Sequence, residues 1–260
     1  FRHAFSEQHF LSLGEKDVET RLWNRVPRTK QDLSFEQIKA LAKFFARIVD
    51  YKSPFTSTHS IGVAADAEKL SRFMGFDEET MQKMYLAGAL HDIGKVNTFT
   101  VDPRGQGHFY GHPKVSGDMA EEICARLRMR KRDREDIVTL IRWHDKNIPL
   151  TEKGIGTAML ALGEENFRRL LEVKRADNLA QAPEYRWVAE KIDAAEKLLD
   201  EMLRREPCLQ LKDLAVNGND LLALGYSGRE IGLALQRLLQ KVVAGEIENR
   251  REALLTALRH

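Results

Sequence analysis

From residue 34 onward, apolar positions recur at three- and four-residue steps, the spacing of amphipathic helices. Phe35, Ile38, Leu41, Phe45, Ile48 and Val49 make one such face, opened by Ser34 and Gln37 at capping-box spacing and closed by Pro54. Thr56 or Thr58 can cap a second helix that carries Ile61, Val63, Ala64, Ala67, Leu70 and Phe73 and stops at Gly75. Asp77 opens a third, with acids in its first turn, running through Met81, Met84 and Leu86 to His91. Residues 96 to 111 break the pattern, and Asp102-Pro103-Arg104-Gly105 is a strong turn signal, so a short hairpin or ordered loop is expected there.

Helices resume at His112-Pro113, where proline suits a first helical position. One carries Val115, Met119, Ile123 and Leu127; the next carries Ile137, Leu140 and Ile141 and ends on His144-Asp145. Arg126 to Arg134 reads as a solvated corner between them, in preference to a phosphate-contacting patch. Helical segments are expected over 151 to 162 and 164 to 180, and a long one from Pro183 to about Arg205. From Pro207 the signals shorten: short helix and turn signals at 214 to 220 and 224 to 228, a helix from about Arg229 to Ala244, and a last helix that Asn249 can cap. Nothing alternates with period two apart from the possible hairpin. The expected fold class is all-α: an N-terminal segment at 1 to 33, a helical bundle at 34 to 206 and a small helical appendage at 207 to 260.

Composition narrows the class without naming a function. The chain has 260 residues, 43% hydrophobic and 31% charged, with a net charge of +2 that announces no nucleic-acid partner. Its two cysteines, Cys124 and Cys208, have neither metal-motif nor disulfide spacing and read as small apolar residues in a reducing compartment. No apolar run approaches the roughly 20 residues of a membrane helix, and no signal-peptide pattern is seen. The cytoplasm is the expected location. His3 and His9, near the breaker Pro27, read as surface residues.

The chemistry concentrates at Leu90-His91-Asp92-Ile93-Gly94-Lys95. An apolar helix ending on two good ligands suggests a divalent metal, because buried charge is costly unless paired or coordinated. A capped helix end with a solvated His-Asp pair is the plainer alternative. Collecting ligand-type residues at helix ends adds His59, His112, His144 and Asp177. Asp92 is the natural bridge: His59, His91, Asp92 and Asp177 would hold one ion, and Asp92, His112 and His144 a second. Mixed imidazole and carboxylate suit manganese, iron, cobalt, nickel or zinc better than magnesium. Lys95 is placed to neutralise a phosphate oxygen. Asp145 is open to three roles, ligand, general base or the acceptor that orients His144, of which the last is preferred. His108 either lines the pocket or sits on a surface loop.

The order His59, then His91-Asp92, then Asp177 resembles the signature of the HD-domain superfamily of metal-dependent phosphohydrolases, and His112 with His144 resembles its two-metal branch. Residues 34 to 95, including Asp50-Tyr51-Lys52-Ser53-Pro54-Phe55-Thr56, are similar to the start of HD-GYP-type phosphodiesterase domains, although the later Gly-Tyr-Pro signature is absent. Gly107 to Val115, Lys174-Arg175-Ala176-Asp177-Asn178-Leu179-Ala180-Gln181 and Leu214 to Leu221 are similar to the C-terminal half of bacterial CCA-adding tRNA nucleotidyltransferases. The glycine-rich strand and paired aspartates of a nucleotidyltransferase head are not found, so nucleotide addition is not expected.

These resemblances imply an enzyme: a phosphodiesterase or phosphatase acting on a nucleotide or cyclic phosphate through a metal-activated water, with Asp92 and Lys95 at the reaction centre. Lys114, Arg175, His108 and Asp145 are expected around it, touching substrate or supporting the ligands. The alternative is a helical module that binds RNA or tRNA through its tail and keeps a structural metal. Neither reading implies a membrane partner, and the sequence leaves the oligomeric state open.

Overall fold

The computed structural model describes residues 34–51, 59–181, 187–205 and 208–258. The helix caps sought at Thr56 or Thr58, the breakers Pro27, Pro54, Pro183 and Pro207, and His3 and His9 lie outside the described residues. The helices are α1 (Phe35–Tyr51), α2 (His59–Phe73), α3 (Glu78–Leu90), α4 (Lys95–Thr98), α5 (His112–Arg126), α6 (Lys131–Trp143), α7 (Glu152–Ala180) and α8 (Trp187–Arg204). A 3-10 turn at Leu211–Asp213 leads to α9 (Gly218–Ala223), α10 (Arg229–Val243) and α11 (Arg251–Ala257). The fold is all-α. Its hairpin is two short antiparallel strands, β1 (Thr100–Val101) and β2 (Gly107–His108), with Thr100 opposite His108.

Helix α3 is the axis of the bundle. From Lys83 to Leu90 every residue is buried, and α1, α2, α6 and α7 pack around it. Small residues let α2 come close: a Cβ on Gly88 would lie 2.9 Å from Ala64 Cα. Asp77 caps the start, its carboxylate accepting from Thr80 N–H at 2.7 Å, which satisfies one of the first-turn donors. The opposite end delivers His91 as the C-cap residue, already inside the core.

Two buried cations tie this axis to its neighbours. Lys83 of α3 is 3% exposed and donates to Asp136 of α6 at 2.9 Å. Arg169 of α7 donates to Thr80 at 3.1 Å and lies 3.5 Å from Asp136. Three helices therefore share one ionic node, which the sequence pattern did not reveal.

Helix α7 is continuous except at Gly163, whose φ of 75° breaks the helical geometry. The sequence placed two segments on either side of that residue. A second apolar cluster forms where α7 meets α8, around Phe167, Leu171, Ile192 and Leu199. A third joins Val216, Leu221, Leu238 and Leu254 of the last elements, with Val243 lodged against Gly156 of α7. Asn249 does not cap α11, whose N-cap residue is Arg250. The Asn249 amide instead accepts from Ala215 N–H and donates to the Asp213 carbonyl, both at 2.8 Å. A side chain that can cap locally has been taken up by a loop far away in sequence.

The basic run turns the corner between α5 and α6, with Arg128 at φ 56°. Arg126 pairs with Glu122, and Arg130 with Glu79 and Asp133. Among the described residues no helix is long and apolar enough to cross a membrane.

Candidate metal centre

Helix ends converge on Asp92. His59 opens α2, His91 and Asp92 follow α3, His112 opens α5, His144 follows α6, and Asp177 lies in the last turns of α7. The two Asp92 oxygens face different partners. Oδ2 lies 3.2 Å from His91 Nε2 and 3.9 Å from His59 Nε2. Asp177 Oδ1 closes that side, 3.1 Å from His59 Nε2 and 3.7 Å from His91 Nε2. Oδ1 of Asp92 lies 3.3 Å from His112 Nε2 and 3.7 Å from His144 Nε2. The ligand atoms thus form two groups that share one carboxylate.

The orientation of the imidazoles explains which atoms face the centre. Nδ1 of His91 meets the Gly88 carbonyl at 2.7 Å, that of His112 the Phe109 carbonyl at 2.9 Å, and that of His144 the Ile141 carbonyl at 2.6 Å. A carbonyl only accepts, so in each neutral ring the proton is on Nδ1 and Nε2 carries a lone pair. Two of those carbonyls belong to last helical turns, which leave acceptors unpaired. Nε2 of His112 and of His144 then face each other at 3.3 Å with no proton between them. His91 Nε2 and Asp92 Oδ1 are buried without a hydrogen-bond partner. Lone pairs crowded together in a dry site are repulsive, and a cation between them removes the conflict. The donor set of imidazole and carboxylate fits first-row divalent metals.

The electrostatics agree. Burial opposes charge on His91, yet the Asp92 and Asp177 carboxylates beside it hold its pKa up at about 10. Burial, joined by repulsion from His91, pushes His144 down to about 3. Asp92 is buried, which alone would raise it, but His91, His112 and Lys95 hold it well below the usual carboxylate range. Asp177, also opposed by burial, is held low by His59 and His91. The centre demands positive charge, which a proton on His91 or a bound cation supplies.

Other residues singled out from sequence fall in several places. Lys95 donates to Asp92 Oδ2 at 2.6 Å and lies 5.5 Å from the Phe109 ring centroid. His108 pairs with Asp102 at 3.2 Å and stacks on Tyr110 in the hairpin, outside the ligand groups. Lys114 is exposed and donates to Asp118. Arg175 bridges α7 to α8 through Asp193 and Glu196 and also pairs with Glu172 of its own helix, so its guanidinium is committed to carboxylates there. The acceptor that orients His144 is the Ile141 carbonyl, a role the sequence had offered to Asp145. Asp145 instead lines the adjoining cavity.

Supporting residues went unread in the sequence. Gln181 donates to Asp177 Oδ2 at 3.2 Å, and Lys174 donates to the His144 and Lys146 carbonyls at 2.5 and 2.9 Å. Gln181 follows Asp177 by one helical turn, a spacing that brings side chains together and was a usable signal. Ser116 carried no such signal; it accepts from Gly94 N–H at 2.9 Å across the loop. A Cβ on Gly94 would sit 2.5 Å from Ser116 N and 2.8 Å from the His112 carbonyl. Gly94→Ala is therefore expected to push the first turn of α5, and His112 with it, away from Asp92. Thermal melts should show a loss of about 1–3 kcal/mol, and metal titration a fall of about 10–100-fold in affinity. Parental values in both would mean the contact is not tight.

The profile of the HD domain family matches residues 56–182. The chain is 40% identical over 101 residues to the 3′3′-cGAMP-specific phosphodiesterase 1 of Vibrio cholerae, covering 37% of this chain and 23% of that protein. It is 29% identical over 171 residues to the CC-adding tRNA nucleotidyltransferase of Thermus thermophilus, covering 65% of this chain and 38% of that protein. With the A-adding tRNA nucleotidyltransferase of Deinococcus radiodurans the identity is 27% over 179 residues, 64% of this chain and 39% of that one. The chain spans less than half the length of each of these relatives. The helix ends that gather His59, His91, Asp92, His112, His144 and Asp177 all lie inside the matched stretch, and residues 56–182 are an HD domain.

Proposed function

We propose that this chain is a metal-dependent phosphohydrolase that cleaves a phosphoester of a nucleotide or cyclic nucleotide. The observation that carries the reading is the sharing of Asp92 between two sets of imidazole nitrogens, one of which sets His112 and His144 Nε2 face to face at 3.3 Å. His59, His91, Asp92 and Asp177 would hold one ion, and Asp92, His112 and His144 the other, with manganese, iron, cobalt, nickel or zinc suiting the donors. Ions held there would supply charge to stabilise a phosphoryl group and would make a water more acidic. The protein's own part is to fix the ligand geometry, to keep the centre dry, and to aim Lys95 at the bridging carboxylate, from which it can reach a phosphoryl oxygen. Similarity to a cGAMP phosphodiesterase supports a cyclic dinucleotide or related diester as substrate. Residues 34–206 would carry this chemistry, with 207–260 as a helical tail.

The test uses the metal-free chain, reloaded with each metal in turn, and bis(p-nitrophenyl) phosphate. Turnover is expected only with bound metal and is expected to stop on chelation. A chain that binds metal and shows no turnover with any of the five would end the hydrolase reading. A second reading, RNA binding through the tail, is supported by the tRNA nucleotidyltransferase matches over 65% and 64% of the chain. It requires tRNA affinity to fall steeply with salt; a slope near zero means phosphates are not contacted.

A further inference from the structure

We propose that the cavity beside His144 and Asp177 is the seat of a nucleobase, attached to the phosphoryl group that the metal centre would hold. This rests on the reading of that centre as a phosphoryl site. The cavity has a volume of about 510 Å³, within the ~300–1,000 Å³ of sites that enclose small organic ligands. His144 and Asp177 are among its lining residues, so it adjoins the ligand groups.

Its lining is of two kinds. Ile148, Pro149, Leu150 and Val188 keep accessible surface and give it an apolar wall, backed by the buried Phe167, Leu171 and Ile192. Asp145, Asn147 and Gln181 add hydrogen-bonding groups. The amides of Asn147 and Gln181 combine donors with an acceptor, and Gln181 uses one N–H on Asp177 while keeping its carbonyl as an acceptor. Lys174, anchored on the His144 and Lys146 carbonyls, pins the loop that forms one side. An acyl chain would want a lining apolar throughout, and a bare sugar one polar throughout. A heteroaromatic base has an apolar face and a hydrogen-bonding edge, which is the combination present.

Calorimetry on the manganese-loaded chain tests this with two ligands that cannot be hydrolysed: a 5′-phosphonate analogue of guanosine, and methylphosphonate. The nucleoside phosphonate is expected to bind at least tenfold more tightly. Leu150 lines the cavity at its exposed side, so Leu150→Trp narrows the space without entering the core. It is expected to reduce that preference to about twofold, and Asn147→Ala to reduce it in part. Equal affinity of the parent for both ligands, or variants that weaken both ligands alike, would overturn the proposal. Absence of turnover with the base preference intact would end the hydrolytic reading and leave the base seat standing.

Discussion

Asp92→Ala is expected to reduce phosphoester hydrolysis by about 10³-fold or more and to abolish binding of at least one metal ion. The reason is geometric. Each Asp92 oxygen faces a different set of imidazole nitrogens, so one truncation removes a ligand from both sets. Metal ions that clamp a phosphoryl group are worth several kcal/mol in the transition state, which converts to about that factor in rate. Stability should fall as well, because His91, His112 and Lys95 hold this buried carboxylate below its usual range and so favour its charged form in the folded chain. The measurements are kcat with manganese, metal content and a thermal melt. A rate within tenfold of the parent would remove Asp92 from the centre of the mechanism. A variant that fails to fold would instead show the carboxylate to be needed for structure, and Asp92→Asn, of the same shape, separates the two.

Lys83→Ala is expected to lose about 3–5 kcal/mol of stability, the cost typical of breaking a buried ion pair. Its ammonium is enclosed between α3 and α6, with Asp136 at 2.9 Å and Asp133 at 3.6 Å. Removing it leaves Asp136 dependent on Asn166 and Arg169 alone. The comparison is Lys69→Ala. Lys69 also meets an aspartate, Asp66 at 3.0 Å, but its side chain is 76% exposed. Such surface pairs contribute about 0–1 kcal/mol. Denaturant midpoints of the two variants should therefore differ widely. Similar midpoints would mean that Lys83 is solvated in solution.

Why the converging histidines and aspartates were legible and this node was not follows from what each looks like in one dimension. His91 and Asp92 interrupt an apolar run, and polar residues at the end of a buried helix stand out. His59, His112 and His144 also lie at helix ends, where the pattern itself marks them. Asp136 and Arg169 sit within stretches rich in charge and look like parts of solvated faces, and Lys83 belongs to the polar first half of α3, just before the apolar run that begins at Met84. Their burial depends on how α3, α6 and α7 pack, which no periodicity encodes. The same limit applies to Gly94 and Ser116, whose contact spans a loop. Asn249 shows the reverse error, since its local capping capacity was read and its partner, the 213–215 loop, lay far off.

The HD assignment carries the helix order and the place of the ligands. It does not carry the residues that discriminate among substrates. The proposed base seat puts those on walls such as 145–150 and the facing turn of α8, where loops mounted on a rigid bundle set specificity.

Anomalous diffraction from manganese-soaked crystals tests the central claim most directly. Two peaks about 3.5–4 Å apart are predicted, one on the His59, His91 and Asp177 side and one on the His112 and His144 side, each within bonding distance of a different oxygen of Asp92. No peak at Asp92, or ions bound only elsewhere on the chain, would contradict the account.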